Sequence, residues 1–231
     1  YIPEVIEENY FLIGAALVIV VMLYKLLSKR KSGKRDSIIL CGPNNSGKTV
    51  FFYHLISSKL QMSVASMEIN EYQSLKLGEE AKSIVSKVLD IPGIGYFKKN
   101  IADNLENSKV TVVFVDSSDK KSLNEASDYL YDIINSDSFD DNMEIIVACS
   151  KSDSKFAKSK QIIESELNTE IDSKKQIKQK NNLEDQSDQM GKLFTLKAKF
   201  NFKMFTNITF VETSKTDEFK ELKNKIKTLF E

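Results

Sequence analysis

A chain of 231 residues has room for one well-cored domain with appendages, and two full domains would be a squeeze. Lys and Arg together number 33, Asp and Glu also 33, and Trp is absent, so there is neither a net basic field nor a base-stacking platform, which argues against direct nucleic-acid binding. Two cysteines and one histidine argue against a disulfide framework, a zinc site or a histidine-based triad.

The first element is apolar. Phe11 to Tyr24 carries no charge, and Leu26 and Leu27 extend it around Lys25, whose long stem can snorkel to a membrane surface. Tyr10 to Leu27 comes close to the roughly 20 apolar residues that a span requires, particularly in the thinner bilayer of the endoplasmic reticulum. Residues 11–27 are therefore expected to form one transmembrane helix, with a buried core helix as the alternative. Glu4, Glu7 and Glu8 precede the run, where a cleaved signal would be basic. Lys25, Lys29, Arg30, Lys31, Lys34 and Arg35 crowd its other end. By the positive-inside rule, residues 1–10 form a short lumenal N-terminus, 28–36 a basic linker, and everything beyond lies in the cytosol.

Residues 37–231 read as one domain. Ser37 to Cys41 is expected as a strand, and Val50 to Lys59 as a helix. Between them stands Gly42-Pro43-Asn44-Asn45-Ser46-Gly47-Lys48-Thr49, which fits G-x-x-x-x-G-K-[ST] in the strand-to-helix context that the motif needs. A phosphate group needs several donors converging at once, so the chain must turn tightly and expose backbone N–H groups, as Gly42 and Gly47 allow. Asn44, Asn45, Ser46, Gly47 and Val50 belong to this cradle. Lys48 supplies a point charge, and the Thr49 hydroxyl a ligand for Mg²⁺. A nucleoside triphosphate is the expected ligand.

Gln61 to Asn70 reads as a polar loop, and Ser83 to Leu89 as a strand running into Asp90. Val110 to Val115 is apolar throughout apart from β-branched Thr111, the mark of a central strand buried on both faces, and Ser122 to Asn135 has helical periodicity. Glu144 to Cys149 is expected as a strand, Lys155 to Leu167 as a helix, Ile208 to Val211 as the last strand, and Phe219, Leu222, Ile226 and Leu229 as one face of a C-terminal helix. Residues 168–192 are rich in Lys, Gln, Asn, Asp and Ser and read as a low-complexity, disordered insertion. Leu193 to Phe205, with alternating Phe194, Leu196, Phe200 and Phe202, is expected to add a hairpin or an edge strand. Cys41 and Cys149 read as small core residues, and His54 as a half-buried packing residue. The alternation implies an α/β domain, a mostly parallel six-stranded sheet with helices on both faces.

Three later motifs narrow the nucleotide. Asp90-Ile91-Pro92-Gly93 fits D-x-x-G, in which the carboxylate meets Mg²⁺ through water and the glycine N–H meets the γ-phosphate. Ser150-Lys151-Ser152-Asp153 stands where a GTPase has N/T-K-x-D, with Asp153 pairing guanine N1 and N2 donors and the Lys151 stem covering the ring. Glu212-Thr213-Ser214-Lys215 resembles E-T-S-A, whose backbone N–H meets guanine O6. All four motifs follow expected strands, at the sheet edge where open α/β sheets bind ligands.

The order of these elements resembles the beta subunits of the signal recognition particle receptor, membrane-anchored GTPases of the Ras and Arf type of P-loop fold. The resemblance rests on the single apolar anchor with its basic flank, the loop G-P-N-N-S-G-K-T, Val64 to Glu68 in the first switch, D-I-P-G, the apolar lead into Ser150 to Asp153, and Phe210 to Ser214. It implies GTP and Mg²⁺ as cofactors and a heterodimer with the receptor's alpha subunit at the endoplasmic reticulum membrane. That heterodimer would hand ribosomes indirectly to the translocon. For the first-switch ligand of Mg²⁺ it offers Ser66, with Ser63 as rival.

Some positions depart from the family pattern. Ile94 follows D-x-P-G where a water-orienting side chain is usual, which implies slow intrinsic hydrolysis and leaves no catalytic residue assigned. Ser150 replaces Asn or Thr, and Lys215 and Thr216 replace the usual Ala and Lys, although the contact there is made by backbone. Two other readings stay open: an Arf- or Sar-type GTPase of vesicle trafficking, and a constitutively loaded anchor.

Overall fold

The structure is a computed structural model, and it describes residues 35–57, 66–77, 84–184, 193 and 198–231. The expected membrane helix at 11–27, the N-terminus at 1–10, most of the linker at 28–36 and Ser63 lie outside the described residues. Among the described residues no helix is long and apolar enough to cross a membrane.

The unbroken apolar runs become the middle of the sheet. β1 (Ser37–Cys41), β4 (Ser108–Asp116) and β5 (Glu144–Ser150) are buried almost throughout, as strands covered on both faces must be. With β2 (Asn70–Lys76), β3 (Ile84–Asp90) and β6 (Ile208–Glu212) they form a six-stranded sheet in the order β2-β3-β1-β4-β5-β6. β2 runs antiparallel to β3, and every other pairing is parallel.

Successive strand residues feed two cores. Ile39, Cys41, Val113, Val115, Ile145 and Val147 pack with residues of α2 (Lys98–Leu105), α3 (Lys120–Asn135) and α4 (Lys160–Glu184). Ile38, Leu40, Val112, Phe114, Ile146 and Ala148 pack with residues of α1 (Lys48–Ser57) and α5 (Lys220–Phe230). Phe51 of α1 lies 5.6 Å from Phe114 and 5.4 Å from Phe219, ring centroid to centroid, and so ties the helix after the phosphate loop to β4 and to the entry of α5. Cys41 and Cys149 are fully buried, as expected of core residues, and burial pushes both thiols up to about 12. His54 is buried more deeply than expected, with Lys223 Nζ 2.9 Å from its Nε2.

Several expected elements are corrected. Residues 168–184 are helical, continuing α4, whose first residue is Lys160 rather than Lys155. A narrow buried stripe, Ile163, Leu167, Ile171, Asp172 and Lys175, is enough to seat this polar helix. Its polar side chains also hold the returning chain: Asn168 Oδ1 accepts from Phe202 N and Asp172 Oδ1 from Phe200 N, both at 2.9 Å, and Lys175 Nζ donates to Ala198 O. Residues 185–192 and 194–197 lie outside the described residues, and no hairpin or edge strand is present at 198–205. Phe200 and Phe202 are instead core residues, beside a 3₁₀ turn at Phe202–Met204. At the other edge, the polar loop expected up to Asn70 gives way to β2, in which Leu75 is the one buried residue.

Candidate functional site

Parallel strands deliver their C-terminal ends to one edge. The register pairs Leu40 with Asp90, Asp116 with Ser150 and Cys149 with Glu212, so all four motifs converge there.

The phosphate loop follows β1. Gly42 has φ of 129°, and a Cβ on it would lie 2.5 Å from the Phe114 carbonyl oxygen, so only glycine fits beside β4. Asn45 and Gly47 also take positive φ, 59° and 91°. Ser46 Oγ and Lys48 Nζ both donate to the Pro43 carbonyl at 2.7 Å. Burial lowers the pKa of Lys48, against the opposing charges of Asp90 and Cys41. Val50 packs into the core, leaving its backbone to the loop.

A cluster of oxygen groups adjoins this loop. Thr49 Oγ1 lies 3.0 Å from Ser66 Oγ and donates to Asp90 Oδ2 at 2.8 Å. Asn70 Nδ2 donates to Asp90 Oδ2 at 2.9 Å and to Ser66 Oγ at 3.3 Å. Asp90 is fully buried, and its Oδ1 has no hydrogen-bond partner among the described residues. Burial raises the Asp90 pKa against the bonds from Asn70 and Thr49 and the charge of Lys48. Gly93 stands directly over the phosphate loop, where an added Cβ would come within 2.6 Å of the Pro43 carbonyl carbon. Ile94 and Tyr96, just beyond it, are 40% and 84% exposed, and Met67, beside Ser66, is 81% exposed.

A cavity of about 320 Å³ opens next to Gly47, a size suited to a small-molecule site, and it is lined by Ser150, Lys151, Asp153, Ser214 and Lys215 with Phe219 as a wall. Lys151, at φ of 54°, extends its ammonium to Asp116 Oδ2, 2.5 Å away. Burial works against the Asp116 charge, yet the bonds from Lys151 and from the Ser118 backbone and hydroxyl hold its pKa below the usual carboxylate value. Asp153 accepts a hydrogen bond from the Thr216 hydroxyl. Ser150 turns its hydroxyl away, to the Val115 carbonyl at 2.9 Å, so its contribution to the cavity is backbone. Asp217 Oδ1 accepts from the backbone N–H of Ser214 at 3.2 Å and of Phe219 at 2.9 Å, which fixes the floor of the loop.

All the sequence-derived residues except Ser63, which is not described, thus meet at one edge. Asn70, Asp116 and Thr216 are additions. Asp116 closes the apolar run of β4 with a lone carboxylate, a signal readable in the sequence, whereas the other two contacts join distant segments.

Sheet order, glycine cradle and edge cavity together define a P-loop GTPase domain of the Ras and Arf type. A family model, that of the signal recognition particle receptor beta subunit, matches residues 33–208, and the chain belongs to this family. The signal recognition particle receptor subunit beta of Mus musculus is 24% identical over 159 residues, covering 68% of this chain, and the match spans 58% of that protein's length. Among solved structures, that of the mammalian SRP receptor superposes with a TM-score of 0.69 at 20% identity, covering 84% of this chain and 99% of that one. The SRb-GTP/SRX complex from Chaetomium thermophilum gives a TM-score of 0.54 at 16% identity, with 79% and 90% covered.

Proposed function

We propose that the chain binds GTP with Mg²⁺ at the C-terminal edge of its sheet. In that state it holds the alpha subunit of the signal recognition particle receptor at the endoplasmic reticulum membrane for co-translational targeting. The observation that carries the reading is the convergence of three parts: the glycine cradle with Lys48, the Thr49-Ser66-Asp90 oxygen cluster, and the cavity between Lys151 and Asp153. The complex of a related beta subunit with GTP supports it.

The oxygen cluster fits Mg²⁺. Two hydroxyls and a carboxylate are hard oxygen donors, and a buried carboxylate oxygen without a partner is what a cation or its water would satisfy. When bound, Mg²⁺ neutralises phosphate charge and so ties the loops carrying Ser66 and Gly93 to the triphosphate. Lys48 supplies the fixed positive charge, and Asp153 reads the base, steadied by Thr216. Ile94 offers no atom to orient a water, which supports slow intrinsic hydrolysis and a site whose output is partner binding.

The test is to solubilise the full chain from membranes in detergent, identify the bound nucleotide, and capture the alpha subunit in GTP and in GDP. GTP in the purified protein and GTP-dependent capture are expected. Loss of nucleotide is expected for Lys48→Ala and Thr49→Asn, and tight GTP binding by either variant contradicts the reading.

A further inference from the structure

We infer that Asn70 is a positioning residue that sets the geometry of the divalent-cation site. The inference rests on the nucleotide reading above and names how that site is held. Asn70 opens the edge strand β2, and antiparallel pairing places it opposite Asp90, the last residue of β3. From there its single side-chain amide nitrogen reaches both Asp90 Oδ2, at 2.9 Å, and Ser66 Oγ, at 3.3 Å.

The consequence lies in which carboxylate oxygen is left over. Asn70 and Thr49 both donate to Oδ2, so Oδ1 is the atom that stays buried and, among the described residues, without a partner. Thr49 is itself a proposed ligand, with its lone pairs for the cation and its one proton for Asp90, so its bond to Asp90 cannot be removed without removing a ligand. Asn70 differs, because an amide N–H₂ donates and does not bind cations. It is therefore the holder of the Asp90 carboxylate that is not also a ligand. Its contact to Ser66 brings the first-switch hydroxyl to the same place, so one amide aligns an oxygen group from a loop with one from the end of a strand. Groups that hydrogen-bond the ligands of a metal in this way change its affinity by roughly 10- to 100-fold when removed.

The test loads the full chain, in detergent, with a fluorescent GDP analogue and measures its release over a MgCl₂ titration and in EDTA. Asn70→Leu keeps the shape of the side chain and removes the donor. Its Mg²⁺ midpoint for slow release is expected to rise by about 10-fold or more, with release in EDTA unchanged. Asn70→Ala serves as the second variant where Leu impairs folding. Gln73→Ala, on the same strand with its amide on exposed Glu71, is expected to leave the midpoint unmoved. A midpoint unchanged in both Asn70 variants, beside a Mg²⁺-dependent parent, overturns the inference. So does faster release by the same factor in EDTA, which assigns Asn70 to strand stability alone. A parent that binds no GDP, or releases it independently of Mg²⁺, overturns the nucleotide reading beneath it.

Discussion

Thr49 and Asp90 are 41 residues apart in the chain, and the Thr49 hydroxyl donates to Asp90 Oδ2 at 2.8 Å. The bond joins the start of α1 to the end of β3 in a part-buried cluster where Asp90 itself is fully buried, and Asp90 keeps a raised pKa because burial outweighs the bonds from Asn70 and Thr49 and the charge of Lys48. An unfolded aspartate titrates near about 3.9. With the folded value above that, the native state binds the proton more tightly. The stabilising contribution is then present below the unfolded value and lost as pH rises through the folded one. At neutral pH the bare carboxylate opposes folding unless a cation offsets it.

Asp90→Asn is therefore expected to raise the melting temperature of the nucleotide-free chain in EDTA at neutral pH. The gain should shrink as pH falls through the folded value toward about 4, and below that the carboxyl is protonated in both states. The same variant should lose Mg²⁺-dependent nucleotide binding. Thermal melts across pH check the first point, and an unchanged or lower melting temperature in EDTA contradicts it.

At the other end of the site, Asp153 faces the cavity with its carboxylate steadied by Thr216. A carboxylate accepts from both guanine N1–H and N2–H₂, whereas an amide offers one acceptor and one donor. Asp153→Asn should lower GTP affinity by about 10²-fold, on the scale of one or two lost hydrogen bonds to a charged group at about 1.5–3 kcal/mol each, and should favour XTP. Competition between the two nucleotides for the full chain measures this. Unchanged selectivity would remove Asp153 as the base reader.

The convergence of the motif residues at one sheet edge was legible because the proposed phosphate cradle and base reader call for particular residues at short spacing. Glycines at Gly42 and Gly47 and the run through Thr49 carry that requirement locally. The five strands with apolar cores were legible for a similar reason. β2 was not, because an edge strand with Leu75 as its one buried residue has almost no apolar pattern to read. The extension of α4 was missed because its seat is a narrow stripe, Ile171, Asp172 and Lys175, in a Lys- and Gln-rich run, completed by Asn168 and Asp172 bonding a segment about 30 residues away. No local window contains that partner.

The helical reading of this segment has a direct test. Ile171 is fully buried in the core that α4 shares with α3. Ile171→Ala is expected to lose about 2–4 kcal/mol of stability in urea denaturation, the range for emptying a buried aliphatic site. A disordered insertion predicts no change, so a loss within about 0.5 kcal/mol of zero rejects the packed helix.

The last prediction concerns the partner. Met67, Ile94 and Tyr96 expose apolar side chains within the two loops that also carry Ser66 and Gly93. Ser66 is bonded to Thr49, and Gly93 packs on Pro43, so the placement of these side chains follows the state of the phosphate site. If the proposed alpha subunit docks there, its affinity depends on the nucleotide, and its binding tightens GTP by the same factor, because coupling between two ligands is reciprocal. High affinity with GTP and weak affinity with GDP are expected in titrations of the full chain. Exposed apolar anchors of this kind contribute about 2 kcal/mol or more when they sit at the centre of an interface. Ile94→Asp with Tyr96→Asp should therefore weaken the complex by at least about 30-fold, with GDP binding intact as the control for folding. Equal affinity for the GDP and GTP forms would remove the switch and favour a constitutively loaded anchor. GTP-dependent binding that survives both substitutions would move the docking surface away from these loops.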